Sequence, residues 1–147
     1  MRFILNIDPS KEEEITATVH SRSDLTDNIE TLVMKHTGSD RITAYTEDDI
    51  TALLFSDIEC ITVIGGKTYA IDGSAKQYRI KSRLYEIESI LPSCFIRINK
   101  SSLANEKKLV KLKASFTGAV DAVFKCGYTE YVSRRCFAKI KRMFTSK

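Results

Sequence analysis

The sequence has no tryptophan, two prolines, six glycines and two histidines in 147 residues. So little glycine and proline excludes collagen-like repeats and low-complexity tracts, and 43% apolar with 29% charged residues is typical of one folded domain with a short appendage. No apolar run approaches the roughly 18 residues of a membrane span. The N-terminal apolar stretch meets Asp8 too early to form the core of a signal peptide.

The four cysteines show no motif of paired thiols. Cys60, Cys94, Cys126 and Cys136 lie far apart and form no C-x-x-C pair. Without an export signal, this spacing favours reduced thiols and predicts a cytoplasmic protein. Arg135 beside Cys136 would favour the thiolate, so a redox role and a plain core role for Cys136 both stay open.

Motifs for catalysis are missing as well. His20 and His36 both fall in the acidic first part of the chain, and His36 suits a helix C-terminus better than an active site. The sequence contains no H-x-x-x-H, G-x-S-x-G, Walker or dinucleotide-binding glycine motif. The glutamates at 12–14 have no further ligands at metal-binding spacing. We therefore predict no enzyme, no catalytic residue, no metal, no cofactor and no small-molecule substrate.

Charged residues are abundant, and acidic and basic residues are concentrated in different parts of the chain. Residues 1–50 carry five Lys/Arg against eleven Asp/Glu, a net charge of −6, whereas residues 51–147 carry 18 against 8, a net charge of +10. From Cys94 onward, 13 basic residues oppose only three acidic ones. This excess favours nucleic acid or an anionic membrane as the partner of the C-terminal part, with a solvated basic face as the alternative.

Hydrophobic periodicity predicts an acidic β-β-α-β unit in residues 1–45, with strands at 3–7, 14–20 and 41–45 and a helix at 24–36. The rest of the chain reads as mainly antiparallel β with two helices, at 82–91 and 133–144. Its predicted strands are 52–55, 58–64, 68–72, 77–81, 95–98, 109–113, 120–124 and 129–132.

Three polar loops at strand ends carry groups that suit phosphates and base edges. Residues 95–105 leave a strand and enter a basic polar turn around Lys100. Residues 131–140 form a strand-to-helix junction, where Ser133 can cap the helix and paired arginines project from its first turn. The third loop follows Gly65 and Gly66. The alternatives are a simple hairpin at Gly65–Gly66, a solvated arginine pair, and an ordinary wet helix face for Lys139 and Arg142.

These segments resemble the LytTR domain, the DNA-binding module of LytR/AlgR-type bacterial response regulators. The resemblance rests on FIRINKSSLAN at 95–105, VSRRCF at 132–137, the helix at 82–91 with Pro92, and the strand and loop at 57–71. It implies an α+β, mainly antiparallel fold: an elongated β-β-β sandwich with short helices. Such domains bind DNA through loops in successive major grooves and bend the duplex.

The resemblance also implies which residues contact DNA. It places Lys67, Thr68 and Tyr69 in the first contact loop, Asn99, Lys100 and Ser101 in the second, and Ser133, Arg134 and Arg135 in the third. Within that framework we expect Arg135 to bind guanine, with Lys100 acting from the neighbouring loop. Lys67, Ser101, Ser133, Arg134 and Lys139 should mainly contact phosphates, and about six neutralised phosphates predict a salt slope of roughly −5.

Two domains are expected: residues 1–45 as an extension for dimerisation or regulatory docking, and residues 46–147 as the DNA-binding domain. No receiver domain is present, so the chain looks like the stand-alone LytTR regulators, often encoded beside a membrane protein that restrains them. The leading hypothesis is a dimeric transcriptional regulator bound to a repeat operator in double-stranded DNA. The alternatives are a single-strand or RNA-binding β module, disfavoured by its scattered tyrosines, and a protein-interaction or anti-regulator module.

Overall fold

A computed structural model describes residues 1–145, which form three α-helices and ten β-strands. Residues 146 and 147, the end of the predicted DNA-binding domain, lie outside the described residues. The helices are α1 (Asp24–Thr37), α2 (Leu84–Glu88) and α3 (Arg134–Thr145). The strands are β1 (Arg41–Tyr45), β2 (Ile50–Leu54), β3 (Ile58–Ile64), β4 (Lys67–Asp72), β5 (Gln77–Ile80), β6 (Phe95–Asn99), β7 (Ser102–Asn105), β8 (Leu109–Ala114), β9 (Val120–Phe124) and β10 (Thr129–Val132).

The strands form two antiparallel sheets. The larger has seven strands in the order β2-β1-β5-β4-β3-β7-β6, and the smaller has three in the order β10-β9-β8. This confirms the predicted mainly antiparallel α+β fold. The β1–β2 hairpin spans the expected boundary after residue 45, and it joins the larger sheet through the single pair Tyr45 and Arg79. Strand β1 is therefore part of the β scaffold.

The larger sheet carries a core on each face. Neighbouring strand residues point to opposite faces, so Ala70 joins one buried cluster and Ile71 the other. The first cluster includes Phe55, Leu84 and Ile87, which brings the β2 end and α2 against the sheet. The second holds side chains of the smaller sheet and α3. The buried residues that those elements contribute are Ala122, Phe124, Val132 and Ile140.

Two turns require residues with positive φ. Gly65 and Gly66 have φ values of 59° and 78°, and this pair of left-handed residues makes the two-residue hairpin turn between β3 and β4. Gly38, with φ of 71°, ends α1, and its N–H donates to the Lys35 carbonyl at 3.3 Å. None of the helices in residues 1–145 is long and apolar enough to cross a membrane.

The structure corrects the prediction at the N-terminus. Residues 3–7 and 14–20 lie in no strand, although the first is an apolar run and the second alternates, so the β-β-α-β unit reduces to α1 and β1. A strand needs a neighbour to bond its backbone, and these segments have none among the described residues of one chain. Their side chains are exposed; Phe3 is 86% and Ile7 is 85% accessible.

A second correction concerns residues 102–105, which we predicted as part of a polar loop. They form β7, whose four residues are all buried, paired with β3 on one side and β6 on the other. The sequence here, Ser-Leu-Ala-Asn, lacks the β-branched and aromatic residues typical of strands. Its two polar side chains are bonded inside: Ser102 Oγ lies 2.7 Å from Thr62 Oγ1, and Asn105 Nδ2 donates to the Ile58 carbonyl at 3.0 Å.

Candidate nucleic-acid interface

The first predicted loop lies at the start of β4, just after the Gly65–Gly66 turn. Strand alternation separates its three residues: Lys67 is exposed, Thr68 is buried and Tyr69 is half-buried. Tyr69 lines a cleft of about 400 Å³ together with Tyr45 and Arg79. Of the three predicted contact residues, only Lys67 is exposed.

The second predicted loop is a turn of two residues between β6 and β7. Lys100 is exposed at its tip, and its carbonyl accepts a hydrogen bond from Arg97 Nη1 at 2.6 Å. Asn99 is only 8% exposed, and its amide is used inside the protein. Its Oδ1 accepts from the Ser101 N–H at 2.7 Å, and its Nδ2 donates to the Tyr131 carbonyl at 2.6 Å. Asn99 therefore shapes the turn that presents Lys100.

The third predicted loop is the junction between β10 and α3. Ser133 Oγ accepts a hydrogen bond from the Cys136 N–H at 3.2 Å, so Ser133 caps the helix as predicted. Arg134 and Arg135 occupy the first two positions of α3, and both are exposed. Lys139 follows Arg135 by one helical turn and is exposed on the same side of the helix.

Hydrogen bonds hold the three loops beside one another. The Asn99 bond to Tyr131 links the second loop to the third, and the Ser133 N–H donates to the Ile98 carbonyl at 2.9 Å. The Val63 N–H donates to the Ser101 carbonyl at 3.0 Å, which links the first hairpin to the second turn. The turn carrying Lys100 and the junction carrying the two arginines are thus direct neighbours.

A carboxylate lies at the centre of this arrangement. Glu130 Oε2 accepts from the Tyr128 hydroxyl at 2.5 Å and from Thr62 Oγ1 at 3.3 Å, and Glu130 Oε1 lies 3.5 Å from Asn99 Nδ2. Burial, followed by the hydrogen bond to Glu130, raises the pKa of Tyr128 well above its ordinary value. The Glu130 carboxylate thereby joins both sheets at the place where the loops meet.

Five exposed cations make up what we call the loop surface: Lys67, Lys100, Arg134, Arg135 and Lys139. Among the salt bridges of the described residues, none involves any of these five. Arg97, by contrast, lies behind the Lys100 turn and is bound to Glu88 at 2.8 Å. Cations without carboxylate partners remain available to an anionic ligand, and phosphate is the ligand that suits them.

The sequence pattern did not single out four residues that the structure brings to this region: Thr62, Arg79, Tyr128 and Glu130. Three of them form the bonds around the Glu130 carboxylate, and they are 68 positions apart at most, so no local motif could reveal them. Arg79 Nη1 is buried without a hydrogen-bond partner in the structure. The alternation of β3 and β10 placed Thr62 and Glu130 on strands, but only the packing of the two sheets makes them neighbours.

Comparisons with known proteins agree with this architecture. The family model of the LytTr DNA-binding domain matches residues 48–145. An uncharacterized HTH-type transcriptional regulator of Staphylococcus aureus strain NCTC 8325 is 30% identical over 135 residues, covering 90% of each chain. Another from strain MRSA252 is 31% identical over 133 residues, covering 90% of this chain and 82% of the relative.

A solved structure is similar in fold. The LytTr DNA-binding domain of a methyl-accepting/DNA response regulator from Bacillus cereus superposes with a TM-score of 0.62 at 22% identity, covering 74% of this chain and 98% of that domain. The relatives are named for a helix-turn-helix, but strands separate each helix of residues 1–145 from the next. The family model assigns residues 48–145 to a class of DNA-binding domain, and the scaffold of this one is antiparallel β. The chain belongs to the LytTR family.

Proposed function

We propose that this protein is a transcriptional regulator that binds specific sites in double-stranded DNA through its loop surface. One observation carries the proposal: the 2.6 Å hydrogen bond from Asn99 Nδ2 to the Tyr131 carbonyl holds the Lys100 turn against the junction of Arg134 and Arg135. Two basic elements that protrude side by side can enter a major groove together. The matching DNA-binding family and the names of the relatives support the same function.

The exposed side chains divide into two roles under this proposal. Arg135 makes a bidentate contact with guanine, worth about 1–3 kcal/mol of discrimination, and Lys100 contacts the adjacent base edges. Lys67, Arg134 and Lys139 bind phosphates and set the register, with help from Ser101 and Ser133 hydroxyls. Asn99 and Thr68 are buried, so we assign them to loop support. Contacts in successive grooves favour a bent site, and bending costs on the order of 1–6 kcal/mol.

Selection from a randomised duplex library, followed by footprinting, tests this function. We expect one enriched sequence with direct or inverted repeats and protection over both half-sites. A double variant, K100A/R135A, should lose the enrichment. K125A is the matched control, because Lys125 is exposed in the turn at the other end of the smaller sheet. Preferential competition by single-stranded DNA would instead favour the single-strand module, and a library without enrichment would refute the proposal.

We further propose that two copies bind DNA as a homodimer joined through residues 1–20, called the arm below. The arm holds the apolar run at 3–7 and the alternating segment at 14–20, yet Phe3, Leu5, Ile7 and Ile15 are 86%, 71%, 85% and 71% exposed. Exposed apolar strands without a neighbour are typical of surfaces that pair with another chain. The same arm in a second copy supplies a partner of matching pattern, and a repeat operator suits two-fold symmetry.

Light scattering on the full chain tests the dimer. The wild type should have twice the mass of one chain, F3S/I7S should have the mass of one, and L32S should remain dimeric. Leu32 is a suitable control because it is an exposed apolar residue of α1 outside the arm. Deleting residues 1–45 would be a poor test, since it removes β1 from the larger sheet. A monomeric wild type at micromolar concentration contradicts this part of the proposal.

Two further parts of the proposal remain: a cytoplasmic location, which rests on the cysteine usage, and a membrane-protein inhibitor encoded nearby, which rests on family resemblance. An apolar groove of about 300 Å³ supports a docking role for the N-terminal region; its lining includes Ile15, Val33 and Leu91. Co-purification with the product of the neighbouring gene, compared between wild type and V33S, tests the inhibitor. Equal recovery of the inhibitor with the wild type and with V33S would show that the inhibitor binds outside this groove.

A further inference from the structure

We propose that Glu130 is a positioning residue that sets the spacing between the Lys100 turn and the arginines of α3, and so controls which DNA sequence the protein prefers. This inference rests on the proposed function. Glu130 lies on β10 of the smaller sheet, two residues after Tyr128 and three before Ser133, the cap of α3. Its partners Thr62 and Asn99 belong to β3 and β6 of the larger sheet.

The contacts show how one side chain can fix that spacing. Thr62, Tyr128 and Asn99 all direct polar hydrogens at the Glu130 carboxylate, at 3.3, 2.5 and 3.5 Å. The Tyr128 bond has the short length of a strong charge-assisted bond, whereas the Thr62 and Asn99 contacts are longer and hold the carboxylate more weakly. Asn99 in turn bonds the Ser101 N–H and the Tyr131 carbonyl. Glu130 therefore braces the same amide that holds the two loops together.

The negative charge of Glu130 gives a second way to test this role. It is one of only three acidic residues after Cys94, the others being Glu106 and Asp121. A carboxylate beside a surface that binds phosphates weakens the attraction to DNA through like-charge repulsion. Neutralising Glu130 should therefore tighten binding if charge alone mattered. Positioning predicts the opposite sign for a specific site, and this difference makes the two effects separable.

The experiment compares E130A, E130Q and N99S with the control D121A, each as the full chain. Asp121 lies exposed on β9 of the same small sheet, so D121A removes the same charge without touching the bonded group. Two probes are used: the duplex selected by the wild type and a random duplex of equal length. Salt is held constant, because affinity for DNA depends strongly on it.

We expect E130A and N99S to lose about tenfold in affinity for the selected duplex, the size of one charge-assisted hydrogen bond, with no loss on the random duplex. E130Q should lose less, since its amide oxygen still accepts a bond. The double variant E130A/N99S should lose less than the sum of the two single losses, because Glu130 acts on the loops in part through the Asn99 amide. Without DNA, the Ser101 amide hydrogen should exchange faster in E130A than in the wild type.

Other outcomes are equally informative. If E130A and E130Q keep the wild-type ratio of selected to random affinity, as D121A should, Glu130 does not position the loops. E130Q and N99S decide the matter alone if E130A fails to fold. If the wild type binds both duplexes equally, the proposed function itself fails. Normal discrimination by the wild type with unchanged variants refutes only the role of Glu130.

Discussion

Arg134 and Arg135 are consecutive in the chain, and both are exposed and carry the same charge. The proposed interface nevertheless gives them different roles, so replacing each with alanine should have different effects. Three exposed cations per chain, Lys67, Arg134 and Lys139, are assigned to phosphates, which makes six in a dimer. Six neutralised phosphates predict a slope of log affinity against log salt of about −5. R134A removes two of the six and should reduce that slope to about −3.6, for any sequence. R135A should instead cost about 1–3 kcal/mol per half-site on the selected duplex and little on a random one.

Fluorescence anisotropy titrations at four or more salt concentrations, on both duplexes, measure the two effects separately. Each variant is compared with K125A, which removes one exposed lysine far from the loops and should leave the slope and the discrimination unchanged. The assignment fails if R134A and R135A weaken both duplexes equally and change the slope equally. In that case the two arginines form one undivided cationic patch, and the specificity must come from another side chain.

Three further predictions concern stability. Ile61 is fully buried in β3, so I61A should lower the free energy of unfolding by about 2–5 kcal/mol in urea denaturation, whereas I64A at the exposed end of the same strand should cost under about 1 kcal/mol; equal losses would contradict the assigned core. Burial and Glu130 raise the pKa of Tyr128 in the folded protein, so this group adds stability below the unfolded pKa of about 10, and that stability is lost as pH rises above it. Thermal melts from pH 9 to 11 should therefore fall more steeply for the wild type than for Y128F, and parallel curves would refute the effect. Arg22 forms salt bridges with Glu106 at 2.6 Å and with Asp27 at 3.0 Å. R22A should therefore speed hydrogen exchange in α1 and lower the free energy of unfolding by about 1 kcal/mol or less. A loss of stability that is undiminished in high salt would show that packing, not charge, is responsible.

The sequence predicted most strands well because they alternate and end at glycine turns. Strands β3, β9 and β10 have the predicted bounds, and the family resemblance identified the loops that the structure brings together. The failures have two different physical causes. Residues 3–7 and 14–20 have side chains typical of strands. A strand also needs a neighbouring backbone to hydrogen-bond with, and a sequence pattern does not show whether one is present. Strand β7 is paired with a strand on each side, but its residues have low strand propensity. It is a strand because the two neighbouring strands enclose it, and this could not be seen in its own sequence.

The candidate site shows a similar division. Exposed residues such as Lys100 and Arg135 could be identified from the loop sequences, since a polar tip between apolar anchors is a local feature. Asn99 belongs to the same loop, yet its side chain bonds the Tyr131 backbone 32 residues away. Glu130 could not be identified, because two of its three partners, Thr62 and Asn99, come from separate strands of the larger sheet. The local sequence thus predicts which side chains are exposed in the loops. Only the packed structure shows which buried side chains hold those loops in place.

The turn between β6 and β7 has a consequence for how such a protein diversifies. It contains two residues, and it is followed by four buried ones in β7. Lengthening it by one residue would shift the pairing and turn each side chain of β7 to the other face, so that Leu103 and Ala104 would leave their own cores. Variation of the operator among descendants should therefore proceed by exchanging the side chain at position 100, while the length of this hairpin stays constant.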